Sequence, residues 1–351
     1  MTNLVGVDIG SSSIKVAQAR ETKVKGEKWL KLERFGFENL PPQSIVDGNV
    51  MNASAVVEAL AKVFRDAKIA DKNVALSVSG HSVIIKKIAV PIMTADELEE
   101  QIHWEAEQHI PFDINDVEID HEILRRRPEQ GQMDILLVAA KKDEINDYAQ
   151  IAREAKLRPL VVDIDAFAIQ NIFEFGYGLS PTETVVLLNV GASLTTLNIV
   201  SGGVSAFTRD IANGGNAITD EIRKQLGVSP EEAEAYKCGG GERSVVPKEV
   251  SEIIQGVAEG LAGEIQRSID FYLATSAEGE ISRIYLAGGT AKIGALGTAI
   301  ERRARVPVEA LDPFRKVQLE TKRLDPNFMR DIAPQATVTL GLSLRRDRDK
   351  N

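Results

Sequence analysis

Two stretches of this chain, LVGVDIGSSSIKVAQA (Leu4 to Ala19) and VVLLNVGASLTTLNIV (Val185 to Val200), share one grammar, and the repetition constrains the fold more than any other feature. In the first, Leu4, Val5 and Val7 form an apolar run, Asp8 and Gly10 end it, and three serines turn the chain. Ile14, Val16 and Ala17 then resume in near alternation. In the second, the apolar run ends at Asn189 and Gly191, Ala192 and Ser193 make the turn, and Leu197 and Ile199 alternate on the way back. Each reads as strand, tight turn, strand. The turn Gly10-Ser11-Ser12-Ser13 offers consecutive backbone N–H groups and small hydroxyls to an oxyanion, and Lys15 adds a positive charge. It is not a Walker loop, because the Gly-x-x-x-x-Gly-Lys-Ser/Thr spacing is missing and a strand follows instead of a helix. Asp8, at the end of its strand, is placed to hold the waters of a hydrated Mg²⁺. Taken alone, the first stretch is equally an ordinary hairpin with a serine turn. Its recurrence favours a duplicated fold that grips one ligand between two halves.

With 351 residues, of which 43% are hydrophobic, the chain is long enough for two cores. The formal net charge of -10 argues against nucleic acid or an anionic membrane as main partner. A single cysteine, Cys238, fits a reducing compartment, and four scattered histidines offer no metal-ligand spacing. His103, Glu105, Glu107 and His109 share a helical segment that reads as a solvated polar face. Nowhere do about 18 apolar residues run without a charge, and no basic region with a long apolar core opens the chain. The expectation is a cytoplasmic protein without direct membrane insertion, held at a membrane through partners.

Between the two hairpins the pattern subdivides. Residues 1–82 read as a first lobe: the opening hairpin, a third strand near Trp29 to Phe37, a helix from Ala53 to Lys68 and a strand from Asn73 to Ser79. Residues 83–157 read as an inserted αβ subdomain. Its helix opens on a capping box, Thr94 with Glu97, and carries the stripe Leu98, Ile102, Ala106 and Ile110. Residues 158–183 read as a mostly helical connection, with Asp163 and Asp165 at a strand-to-helix handover. There Asp165 either faces the cleft or caps the helix. Residues 184–333 form the second lobe, and 334–351 a returning helix and a charged tail.

These stretches resemble the actin, Hsp70 and hexokinase nucleotide-binding fold, an α/β two-lobed ribonuclease H-like duplication. Within it they are similar to the PilM family of type IV pilus assembly proteins, kin to the division protein FtsA. The resemblance rests on VDIGSSSIKVA, on AVPIMTADELEEQIHWEAEQHIPFDINDVEIDHEIL, on NVGASLTTLNIV with FTRDIANGGNAIT, on PEEAEAYK and on IYLAGGTAKIGAL. It implies ATP and Mg²⁺ as ligands, with Gly10, Ser11, Ser12, Ser13 and Lys15 as the first phosphate loop and Gly191, Ala192 and Ser193 as the second. Gly214, Gly215 and Asn216 are implied near the ribose and phosphates, where a side chain would hold the backbone off the ligand. Glu234 and Lys237 match an adenosine-contacting pair, with a surface ion pair as the alternative reading. Gly288, Gly289, Thr290 and Lys292 match the adenosine loop. Asp8 through water, Asp165 and Asn189 are the candidates for metal or water positioning. Asn189 stands where many relatives carry an aspartate, and an amide cannot accept a proton. The expectation is at most a slow ATPase.

The resemblance also implies a partner, the short cytoplasmic amino-terminal segment of the membrane protein PilN, alongside other pilus assembly proteins. Two alternatives stand beside this scaffold. One is an FtsA-like self-associating filament former at the membrane, which the tail LRRDRDKN, lacking an apolar face, does not favour. The other is a small-molecule kinase using an aspartate such as Asp210 as base.

Overall fold

The structure is a computed structural model that describes residues 3–46, 48–240, 246–276 and 279–347. The chain opens with β1 (Val5–Ile9), β2 (Ser13–Val24) and β3 (Glu27–Asn39), a small hairpin of β4 (Ile45–Val46) and β5 (Asn49–Val50), then α1 (Ala53–Asp66) and β6 (Asn73–Val78). There follow β7 (Val83–Pro91), α2 (Ala95–Glu107), β8 (Val117–Arg127), β9 (Gln132–Lys141), α3 (Lys142–Glu154), β10 (Arg158–Ile164) and α4 (Asp165–Tyr177). The second half runs β11 (Thr184–Val190), β12 (Thr195–Ser201), β13 (Val204–Ile211), α5 (Gly215–Leu226), α6 (Pro230–Lys237), α7 (Glu249–Thr275), β14 (Ile281–Ala287), α8 (Gly294–Ala304) and β15 (Val308–Ala310). It closes with β16 (Val317–Leu319), α9 (Pro326–Ile332) and α10 (Thr337–Leu342).

The repeat seen in the sequence is a repeat of sheets. One sheet has the order β10-β6-β1-β2-β3-β16 and the other β13-β12-β11-β14-β15. Each contains an antiparallel meander of three strands, extended on the side of the first strand by two parallel ones. Parallel pairing requires crossover connections, which α1, α3, α7 and α8 help to supply. Val5, Val7, Leu60, Val63 and Leu76 share one core, and Val186, Leu188, Leu261, Ile265 and Leu296 the other. Each such large side chain contributes about 1.5–3 kcal/mol by leaving water. Between the lobes, Ile169 does not stand alone: Ala168 and Phe173 of α4 and Val338 and Leu342 of α10 join Ala75 of one sheet and Val185 and Leu187 of the other. The two connecting helices are thus a shared axis.

A third sheet, β7-β9-β8, carries α2. The capping box forms, with Glu97 N–H on Thr94 Oγ1 and Thr94 N–H on Glu97 Oε2. Leu98, Ile102, Ala106 and Ile110 pack on Met133, Ile135 and Leu137, giving this insert its own core. Three segment boundaries differ from the sequence reading. The insert ends with β9 at Lys141 and not at residue 157, because Tyr148, Ile151 and Ala152 of α3 are packed into the first-lobe core. β10 is an edge strand of the first sheet, parallel to β6, and only α4 is helical connection. The chain returns to the first lobe well before residue 334, since β16 pairs with β3 and Leu324, Met329 and Ile332 pack on Leu30 and Leu32. The last four residues of the charged tail lie outside the described residues.

Candidate functional site

Both serine hairpins open onto one cavity of about 780 Å³ between the lobes. Their turns are closed alike, by Gly10 N–H on the Ser13 carbonyl at 3.1 Å and by Gly191 N–H on the Leu194 carbonyl at 2.9 Å. The two turns touch across the cleft, where Ser193 Oγ donates to Ser11 Oγ at 2.6 Å. Lys15, though almost completely buried, points to the cavity and pairs with Asp8 at 3.3 Å. A Cβ built on Gly10 would sit 3.3 Å from Lys15 Nζ and 3.7 Å from Asp8 Oδ1, so a side chain here would crowd this pair. Ser13 Oγ is buried and has no hydrogen-bond partner, which leaves a donor free at the base of the cradle.

Of the residues singled out in the sequence, Asp8, Gly10 to Ser13, Lys15, Asp165, Asn189, Gly191 to Ser193, Glu234, Lys237, Gly288 to Thr290 and Lys292 all line this cavity. Gly214, Gly215 and Asn216 stand behind it. Gly215 N–H bonds the Gly191 carbonyl at 3.0 Å and Asn216 N–H the Ala192 carbonyl at 2.7 Å. A Cβ on Gly214 would fall 2.7 Å from the Gly191 oxygen, and one on Gly215 2.5 Å from Thr290 Oγ1. The glycine pair therefore lets α5 dock against the second loop. Its small size serves this packing.

Glu234 and Lys237 are paired at 2.6 Å, but not as a free surface pair. Lys237 is nearly buried, and its ammonium also reaches Thr219 Oγ1 at 2.9 Å. On the opposite wall Gly288 has φ +90, and a Cβ there would lie 2.3 Å from the Val190 oxygen, so only glycine suits the crossing. Asp165 does not cap α4, whose N-cap is Ile164. Its carboxylate accepts from Ser77 Oγ at 2.5 Å. Burial, together with the charge of Asp8, raises its pKa. Burial and the charges of Asp165 and Asp210 likewise push Glu144 up to about 7.

Sequence reading missed several lining residues: Ser79, Gly80 and His81 after β6, Tyr148, Thr196, Cys238 and Gln335. Thr196 carried a signal, since it sits on the polar face of a strand next to a recognised turn. Gln335 did not, because only the folding back of the chain brings Pro334 O to Gly288 N at 2.8 Å. Among the described residues no helix is long and apolar enough to cross a membrane, and no cluster of three metal-type ligands occurs.

Duplicated sheets, paired turns and a shared interlobe cavity define the chain as an actin-like, two-lobed α/β protein. The structure is similar to EutJ from Carboxydothermus hydrogenoformans, at a TM-score of 0.58 and 14% identity over 98% of this chain and 90% of that one. It is also similar to MreB5 of Spiroplasma citri bound to ADP, at 0.54 and 13% over 97% and 95%. At such identities the fold alone is shared. The chain belongs to the PilM family of type IV pilus assembly proteins, whose family model matches residues 6–347. A PilM-PilN type IV pilus biogenesis complex matches at a TM-score of 0.86 and 26% identity over 98% of both chains. The cell division protein FtsA of Streptococcus pneumoniae serotype 2 (strain D39 / NCTC 7466) is 23% identical over 267 residues, 68% of this chain. This chain spans about half the length of that relative, 55%.

Proposed function

We propose that the protein is a cytoplasmic, ATP-binding scaffold of the type IV pilus inner-membrane platform. In this reading it takes up the amino-terminal segment of a PilN-type membrane protein and reaches the membrane only through such partners. The observation that carries it is the single cavity shared by two identically closed turns, which touch through Ser11 and Ser193. The solved relative assembled with PilN supports the partner, and the MreB5 structure with ADP supports a nucleotide in a cleft of this kind. The residues fit such a ligand. The free Ser13 hydroxyl and the Gly10 cradle suit phosphate oxygens, and Lys15 supplies a cation. Mg²⁺ would screen the phosphates from Asp8 and Asp165, which suit a hydrated ion better than direct ligation. Glu234 and Lys237 on one side and Gly289 and Thr290 on the other suit the adenosine end.

Asn189, lining the cavity where a carboxylate would be needed to take a proton, supports retention of ATP with slow turnover. The kinase alternative is not favoured, because Asp210 Oδ2 is turned to the Gly80 N–H instead of lining the cavity. Thermal melting tests the nucleotide: Mg²⁺–ATP is expected to raise the melting temperature and G10D to abolish the rise. No rise in the parent chain refutes the reading. A pull-down on a synthetic PilN amino-terminal peptide, with and without ATP, tests the partner.

A further inference from the structure

Asp210, near the end of β13, is an acid that the nucleotide site does not use. Its Oδ2 accepts the backbone N–H of Gly80 at 2.5 Å, a bond from the second lobe to the chain that follows β6. Thr196, its register partner on β12, gives the carboxylate a further hydrogen bond, and His81 bears on it through its charge. Gly80, at φ +96, lies where the chain leaves the first lobe for the inserted subdomain. The returning strand passes the same point, since Lys141 N–H bonds the Ser82 carbonyl at 3.1 Å and Val83 pairs with Ala140. Asp210 therefore holds the neck of the insert, where both of its connections run side by side. Thr196, Ser79, Gly80 and His81 also line the interlobe cavity.

We propose that Asp210 is a latch that fixes the inserted subdomain to the second lobe through its neck, so that the subdomain's angle follows the state of the cleft. Physically, a hydrogen bond to a carboxylate is stronger than a neutral one, and breaking it leaves a half-buried charge short of a donor. Movement of β13 with the second lobe is thus passed to Gly80 in preference to parting from it. Whatever shifts Thr196 or the turn at 79–81 from the cavity side acts on the same carboxylate. The latch does not rest on which ligand fills the cavity, so it stands or falls separately from the nucleotide reading.

The test is a distance measurement by pulsed electron paramagnetic resonance on the full chain. Spin labels are placed on W104C, at a position 73% exposed on the insert, and K224C, at a side chain 77% exposed on the second lobe, in a C238S background. With Asp210 intact, and in D210N, whose amide oxygen still accepts from Gly80, one narrow distribution is expected. In D210A it should become roughly twofold broader or shift, as a released two-state element does. T196V, which keeps the carboxylate but removes one donor, should broaden it partly. A D210A distribution as narrow as the parent's overturns the latch, and so does a D210N distribution as broad as that of D210A. An unchanged T196V overturns the link to the cavity. If circular dichroism shows D210A unfolded, D210N and T196V decide alone.

Discussion

At the scale of single residues, Glu144 has an unusual pH signature. Its buried Oε1 has no hydrogen-bond partner, and burial beside Asp165 and Asp210 pushes its pKa up to about 7. An unfolded glutamate titrates near 4.3. Because the folded value is the higher one, the protonated carboxyl's contribution to stability is complete below the unfolded pKa. It is lost as pH rises to about 7 and changes no further above that. E144Q removes the titration, so its stability relative to the parent should grow by about 1–2 kcal/mol from pH 5 to pH 8, a figure reduced for the group's partial exposure. Urea unfolding at the two pH values checks this, and a difference independent of pH contradicts it. At this scale the sequence showed the turn residues well, because Gly10 and Ser11 to Ser13 lie together in one strand-turn-strand pattern. Glu144 and Gln335 were not legible. Their roles depend on side chains from Asp165 and Asp210, or on a backbone crossing at Gly288, that only the packed fold brings near.

At the scale of elements, the crossing of α4 and α10 is the tightest fit between helices. A Cβ on Gly341 would lie 1.8 Å from the Ala168 carbonyl oxygen, which belongs to backbone and cannot swing aside. G341A must therefore part the two helices, and a loss on the order of 3 kcal/mol is expected, comparable to severe overpacking. Melting should show it, whereas G294A, at a position where a Cβ meets nothing, should change little in the same experiment. The insert offers a milder case. T94A removes the capping-box acceptor of Glu97 N–H and should cost about 1 kcal/mol, visible as faster hydrogen exchange in α2. Hairpins and capped helices were readable because their signals are local: alternation in Ile14 to Ala17, a cap at Thr94, a stripe from Leu98 to Ile110. Membership of β10, α3 and β16 in the first sheet or its core was not, because an apolar run such as Leu160 to Ile164 does not reveal which sheet it will join.

For the whole molecule the question is what closes the lobes on one another. Ser11 and Ser193 touch, Asp210 bonds Gly80, and α4 and α10 form a common axis, so the two halves already meet at three separate places. The cavity between them is not neutral. Asp8 and Asp165 face it, Glu144 and Asp210 stand close by, and of its three lysines Lys15 is paired with Asp8 and Lys237 with Glu234, with Lys292 on the wall beside Gly289 and Thr290. A triphosphate entering alone meets these carboxylates at short range in a partly dry cleft, where like charges repel more strongly than in water. On the proposed reading a divalent cation would reverse that balance by screening the phosphates from Asp8 and Asp165. ATP should then raise the melting temperature with Mg²⁺ but much less in EDTA, and D8N should narrow the gap by weakening the repulsion and the hold on the ion together. Adenosine, which brings no phosphate charge, should bind equally with and without the metal. Calorimetric titration of ATP and adenosine under both conditions separates these cases, and ATP binding that ignores Mg²⁺ contradicts the assignment of the carboxylates to a hydrated ion.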